Sequence, residues 1–448
     1  MSAENELRLA EALLEAARQA GAEAADAMVV AATAVGVGVA EGVLEEAERA
    51  EGVDLGLRVL IGQRQACVSS SDPRPATIAE MAARAVAIAR EAPEDPYCGL
   101  AEPDQLGIAA EAAALDLVDP AEPLDPAALE ALALEAEAAA LAITGVRQVD
   151  QASASFSHDR VTLVATNGLT STTECTATGL GLSVIAGEGL GRERGFAYER
   201  RRHRADLPTP EWIGTRAGER AVAALGPKKP KPGRYPVLYD ERVAASLIAH
   251  LLSAINGAAV ARGASWLAEA METQVLPTGL SLIEDPLIPR GLASRRHDAE
   301  GFAALKRALV EDGVLKSWVL DLATARQLGL KTTGNARRGP GGPPSPGTTN
   351  VALSQGAESR DALIAAMGTG MIVTSMLGAS INPTTGSYSR GASGFWVEGG
   401  EIVHPVNEIT IAGSLPEMMR TLVAADDADP NRALKVPSLL VEGLTIGA

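Results

Sequence analysis

Leu7, Leu9, Ala10, Leu13, Leu14 and Ala17 recur at helical spacing, so residues 5–20 are expected to form an amphipathic first helix. The stretch that follows, "DAMVVAATAVGVGVAEGVLEEAERAEGVDLGLRVLIGQRQACVSSS", opens on a β-branched run and passes through a polar turn region. It ends in a strand-like pattern through Val53, Leu55, Leu57, Val59 and Leu60, and three or four antiparallel strands are expected there. A second helix is expected over 76–91, with Pro75 at its start, where a missing N–H costs nothing. Residues 1–95 therefore read as an N-terminal helix–sheet–helix domain.

Residues 96–125 are rich in proline and acidic groups and read as a connecting segment. An Ala/Glu/Leu helix over 126–142 comes next. Strands are expected near 145–157, 160–167, 171–187 and 194–204, with "ATNGLT" as a hairpin signal, before a helix over 209–225. This middle domain, 126–231, is of α/β type and repeats the order helix, meander, helix without a residue-level repeat. "GPKKPKPGRYP", residues 226–236, is a stiff Pro/Lys linker and the sharpest boundary in the chain. Beyond it, residues 232–448 alternate short apolar segments with Gly and Pro, the pattern of a β-rich C-terminal domain with a few helices. The fold class is α+β.

At 448 residues the chain exceeds one ordinary core, which agrees with several domains. The net charge of −18 opposes binding to phosphate backbones and anionic membranes, which argues against a nucleic-acid partner. Cys67, Cys98 and Cys175 lack metal-type spacing and read as free thiols of a reducing compartment, the cytoplasm. Two uncharged runs, 243–261 and 362–381, are each roughly as long as a membrane span. Ser, His, Asn and Gly interrupt them, and no flanking Lys/Arg pattern anchors them, so no membrane span is expected. The second run reads as buried strands.

Common catalytic signatures are missing. The five histidines, His158, His203, His250, His297 and His404, include no pair within a helical turn, and none precedes a glutamate. "GASGF" and "GEGLGRERG" fall short of the hydrolase and dinucleotide patterns. His250, in the middle of the apolar stretch 240–270, reads as a packed histidine. The basic run "YERRRHR", residues 198–204, has Phe196 and Tyr198 available for stacking, but it reads as a strand end pairing with the chain's own carboxylates. The Gly/Pro loop "TTGNARRGPGGPPSPGTTNV", 332–351, holds two cations among small polar residues. Asn335, Arg337, Arg338, Thr348, Thr349 and Asn350 are the candidates for gripping an extended peptide by its main chain; a surface loop without that role is the alternative.

Several C-terminal segments carry a family resemblance: "PGRYPVLYDERVAASLIAHL", "LIEDPLIPRGLASRRHDAEG", "GVLKSWVLDLATARQLGLKTTGNARR", "TTNVAL" and "INPTTGSYSRGASGFWVEGGEIVHPVNEITIAG". They resemble the TldD/PmbA metallopeptidases, and most closely the PmbA (TldE) branch. The resemblance covers nearly the whole chain. It implies proteolysis of small or unfolded peptides, a description as modulator of DNA gyrase, and pairing with a TldD-type subunit that carries zinc. In the TldD branch a helix bears His-Glu-x-x-x-His, and a cysteine near the C-terminus completes the site. Aligned on "ARGASW", Ile248 and Ser253 occupy the histidine positions and Ala249 that of the glutamate; His250 replaces none of them. "NRALKVPSLLVEGLTIGA" contains no cysteine.

The resemblance thus implies no catalytic residue and no metal on this chain, with zinc on the partner. This chain would contribute channel wall and a surface for the peptide backbone. The competing expectation is a self-dimer, a non-catalytic peptide-binding or regulatory protein.

Overall fold

The computed structural model describes residues 2–108 and 110–447. The N-terminal part contains α1 (Ala3–Ala20), β1 (Ala24–Ala40), β2 (Val43–Ile61), β3 (Arg64–Ser70), α2 (Pro75–Glu91) and the single turn α3 (Ala112–Leu115). It continues through α4 (Pro126–Leu141), β4 (Val146–Ala165), β5 (Thr170–Ala186), β6 (Glu193–Arg201) and α5 (Pro210–Ala223). The helix starts follow local chemistry. Ser2, Asp125 and Thr209 each accept a backbone N–H at the N-cap of α1, α4 and α5, and proline opens α2, α4 and α5.

The six strands form one antiparallel sheet in the order β3-β2-β1-β4-β5-β6. The sequence reads as two units, 1–95 and 126–231, but the backbone joins them by pairing β1 with β4. Ala25, Ala27 and Val29 of β1 pack in one core with α1 and α2, while Val35, Val37 and Val39 enter a second core with α4 and α5. Because these residues share parity along the strand, one sheet face serves both cores.

One strand differs from expectation. Residues 146–165 are a single strand, not two segments broken near 158. The polar stretch that resembles a turn is held by neighbours: His158 bonds Glu174 at 2.6 Å, and Arg160 pairs with the buried Glu6 at 2.9 Å.

The C-terminal part comprises β7 (Gly233–Tyr239), α6 (Glu241–Ala254), α7 (Gly257–Ala261), β8 (Leu282–Glu284), β9 (Arg307–Glu311), β10 (Val314–Leu315) and α8 (Leu322–Leu328). It continues with β11 (Ala336–Arg337), β12 (Ser345–Pro346), β13 (Val351–Leu353), α9 (Arg360–Met367), β14 (Gly370–Ile381), β15 (Ser387–Glu398) and β16 (Glu401–Ser414). The last elements are α10 (Leu415–Thr421), β17 (Val423–Ala424), β18 (Leu434–Lys435) and β19 (Leu439–Gly447). The run 362–381, expected as strands, is helix α9 followed by β14; Ser359 caps the helix and Gly368 ends it with positive φ.

Strands β16-β15-β14-β7-β19 close into a barrel through an added β16–β19 pairing, with β17 beside β19. Period-2 alternation divides its two sides: Val237, Tyr239, Met371 and Val373 pack with α6, while Leu238 and Ile372 pack with α9. A second, mixed sheet runs β10-β9-β8-β13-β18, and β11 and β12 form a small hairpin. Among the described residues no helix is long and apolar enough to cross a membrane.

The N-terminal sheet rests on the C-terminal part. A Cβ on Gly56 of β2 would lie 2.5 Å from the Pro340 carbonyl oxygen, so glycine is required for this close approach. Beside it, Asp26 is buried between Arg58, at 2.5 Å, and Arg338 from the loop 332–351.

Candidate functional site

A cleft separates edge strand β6 from barrel strand β14. One part, about 740 Å³, is lined by Phe196, Arg220, Arg242, Thr374 and Phe395 among others. A contiguous part, about 640 Å³, adds Tyr198, Met376, Leu377, Arg390 and Arg432. On β6 the inward residues Ala197 and Glu199 are buried, whereas Phe196 and Tyr198 stand exposed at 55% and 46%. On β14, pairing with β7 spans only Met371–Val373. From Thr374 to Ile381 no strand among the described residues pairs with that edge, and the segment is half-buried at its start and exposed over Leu377–Ser380. An open strand edge beside aromatic faces is the arrangement that accepts an extended peptide as an added strand.

Charges line the start of α6 in this cleft. Asp240 caps the helix and pairs with Arg242 at 2.6 Å and Arg360 at 3.4 Å. Burial acts to raise its pKa, but the hydrogen bond and charge of Arg242, aided by Arg360, prevail and hold the carboxyl below its ordinary value. Glu241 goes the other way, raised by burial and by the Asp240 charge. Arg220 falls to about 10 through burial and the like charges of Arg242 and Arg216. It donates to the Phe196 carbonyl oxygen at 2.9 Å and so braces the edge strand.

The six residues expected to contact peptide do not form one surface, and none lines this cleft. Asn335 is buried and donates to both oxygens of Glu284, at 2.9 and 3.2 Å. The Thr349 backbone N–H and hydroxyl donate to the same carboxylate at 2.7 and 2.9 Å, and Arg307 pairs with it at 3.1 Å. Asn350 donates to the Ser294 hydroxyl at 2.8 Å and to the Asp285 carbonyl at 3.1 Å. Arg338 is buried against Asp26. Only Arg337 is exposed, and Thr348 is half-buried. The loop is a clasp anchored at both ends: the side chains of Asn335, Thr349 and Asn350 are engaged with internal partners.

The zinc positions of the related TldD helix fall within α6. Ile248 is fully buried in the apolar core and Ala249 has no donor atom. Ser253 is exposed, and its hydroxyl donates to the Ala249 carbonyl at 2.9 Å. Among the described residues no group of three or more His, Cys, Asp and Glu side chains could hold a metal. The residues at these positions therefore do not fit zinc. His250 sits edge-on to Tyr388 with ring centroids 6.0 Å apart, and its buried Nε2 has no hydrogen-bond partner. Burial, with the charge of Arg390, lowers its pKa and keeps it a neutral packing group.

The layout described here is that of a known class of protein. Residues 25–89, 119–225 and 232–448 match domain 1, the central domain and the C-terminal domain of the PmbA/TldA metallopeptidases. The chain belongs to this family. It is 36% identical to Metalloprotease PmbA of Escherichia coli O157:H7 over 427 residues, spanning 95% of this chain and 92% of that protein. It is 34% identical to the Metalloprotease PmbA homolog of Haemophilus influenzae, over 99% and 96% of the two chains. Among solved structures, a Bacteroides thetaiotaomicron protein described as a candidate modulator of DNA gyrase superposes with a TM-score of 0.90 at 25% identity, over 100% and 99% of the chains. TldE of Thermococcus kodakarensis, at 21% identity, shares the fold with a TM-score of 0.83 over 98% and 100%.

Sequence reasoning missed the cleft, since β6 and β14 are far apart in the chain. The available signal was the pair Phe196 and Tyr198, large aromatics at the solvent-facing positions of an alternating strand.

Proposed function

We propose that this chain is the non-metal subunit of a cytoplasmic zinc metallopeptidase that degrades small or unfolded peptides. Its own contribution is the wall of the peptide path and the open edge of β14, which receives substrate backbone as an added strand. The observation that carries this reading is α6: at the positions where the related catalytic helix holds its ligands and general base, this chain has Ile248, Ala249 and Ser253, which fit neither role. Zinc, the hydrolytic water and the base then belong to a TldD-type partner with His-Glu-x-x-x-His. Because a strand edge grips main chain, the complex should cleave with little sequence preference, and a folded protein would be rejected for lack of a free extended segment. The three cysteines are free, consistent with the reducing cytoplasm.

The test is zinc content and peptidase activity of the purified chain, alone and mixed with a TldD-type subunit. The expected result is negligible zinc and activity alone, with activity in the mixture above that of the partner by itself. Stoichiometric, chelator-resistant zinc on the isolated chain would overturn the proposal. No gain in the mixture would instead favour a self-associating peptide-binding protein.

A further inference from the structure

The basic run at the end of β6 lines a separate cavity of about 390 Å³. Its walls are Arg201 and Arg202, the loop 288–292 carrying Arg290, and the segment 430–435 carrying Arg432 and Lys435. Five cations and a single carboxylate, Asp206, face this space in a chain of net charge −18. Three of the cations are already compensated: Arg201 by Glu199, Arg432 by Glu199 and Asp429, and Arg290 by Asp116 and Asp206. The surplus resides on the other two. Arg202 has no carboxylate partner among the described residues: it donates to the carbonyl oxygens of Thr176 at 3.2 Å and Leu292 at 2.6 Å and interacts with the Cys175 side chain, and its Nε is buried. Lys435 has no ion pair among the described residues. Two cations with spare donors at one concave site favour an anion, and a carboxylate accepts from both.

Arg432 lines both this cavity and the cleft beside β14, so the two are neighbours across one side chain. We infer that the cavity binds the terminal carboxylate of a peptide whose preceding residues lie in the cleft. Apolar atoms of Ile288, Pro289 and Leu292 line the same space and offer room for the last side chain. This rests on the peptide reading of the cleft and adds a polarity and an end-point to it: the subunit selects chains with a free C-terminus.

The experiment is a titration of the full chain with two N-terminally labelled peptides of one extended sequence, ending in a free carboxylate or in an amide. The acid form is expected to bind about tenfold more tightly, equivalent to about 1.4 kcal/mol. Lys435→Met should abolish the difference, and Phe196→Ala should weaken both forms alike. Equal binding of acid and amide by the unaltered chain would overturn the carboxylate pocket while leaving the cleft reading intact. A preference that survives both Lys435→Met and Arg202→Met would also overturn it. Binding of neither peptide would overturn the pocket together with the cleft reading.

Discussion

Asp26 is 4% exposed and holds two arginines, one from its own sheet and one from the distant loop 332–351. Removing one partner of a buried ion pair leaves the other charged and unsolvated, a cost of about 3–5 kcal/mol. Asp26→Ala is therefore expected to lower unfolding stability by about that amount in urea melts, more than an exposed ion pair such as Arg49–Glu51 contributes. Glu300 carries a different signature. It is 6% exposed, accepts the Leu322 N–H at 2.8 Å, and is raised to about 8 by burial and by the charges of Asp298 and Asp321. Between the ordinary value of 4.5 and about 8, the folded chain keeps a proton that the unfolded chain gives up. Its stabilising effect is thus complete below the lower value and lost as pH rises towards the upper one. Urea melts from pH 5 to 8 should show the unaltered chain losing stability relative to Glu300→Gln by up to about 1.4 kcal/mol per pH unit. Parallel profiles would show that the carboxyl titrates normally.

Helix α6 shows how an element outlasts the chemistry of its relatives. Ile248 is sealed in the apolar core and no cysteine follows Cys175 to complete a ligand set, so restoring the motif letters cannot by itself restore a site. The triple change Ile248→His, Ala249→Glu and Ser253→His is expected to leave zinc well below one per chain by metal analysis. It should also lower the melting temperature, because a buried imidazole without a partner costs about 1–3 kcal/mol. Tight stoichiometric zinc in this variant would mean that the helix can rotate to present both positions. The elements that were legible in the sequence are those governed by local rules. Pro75, Asp125 with Pro126, and Thr209 with Pro210 fix their helices within a residue or two of expectation. Features governed by distant partners were not legible. The polar break in β4 is bridged by Glu174 and Glu6, and Asn335 and Thr349 are committed to Glu284. Spacing along the chain carries no record of those pairings. The cleft was half legible, through Phe196 and Tyr198.

Across the whole molecule, the N-terminal sheet and the C-terminal part have separate cores, so polar anchors between them carry much of their coupling. Arg338 reaches Asp26, and Arg326 donates to the carbonyls of Tyr97, Cys98 and Leu100 at 3.1–3.2 Å. Further bonds join Arg296 to the Thr172 carbonyl and His297 to Ser171. A contact surface built largely from hydrogen-bonded arginines is specific in geometry, but each anchor it loses leaves desolvated carbonyls or carboxylates behind. The double variant Arg326→Ala, Arg338→Ala deletes the two anchors that tie the connecting segment and β1 to the C-terminal part. It is expected to split a single calorimetric transition into two and to expose the stretch 97–106 to limited proteolysis before either core unfolds. One cooperative transition, with that stretch still protected, would show that the anchors at Arg296 and His297 are sufficient. The cleft and the carboxylate pocket both lie between these parts, so peptide affinity should fall with the lower of the two transitions.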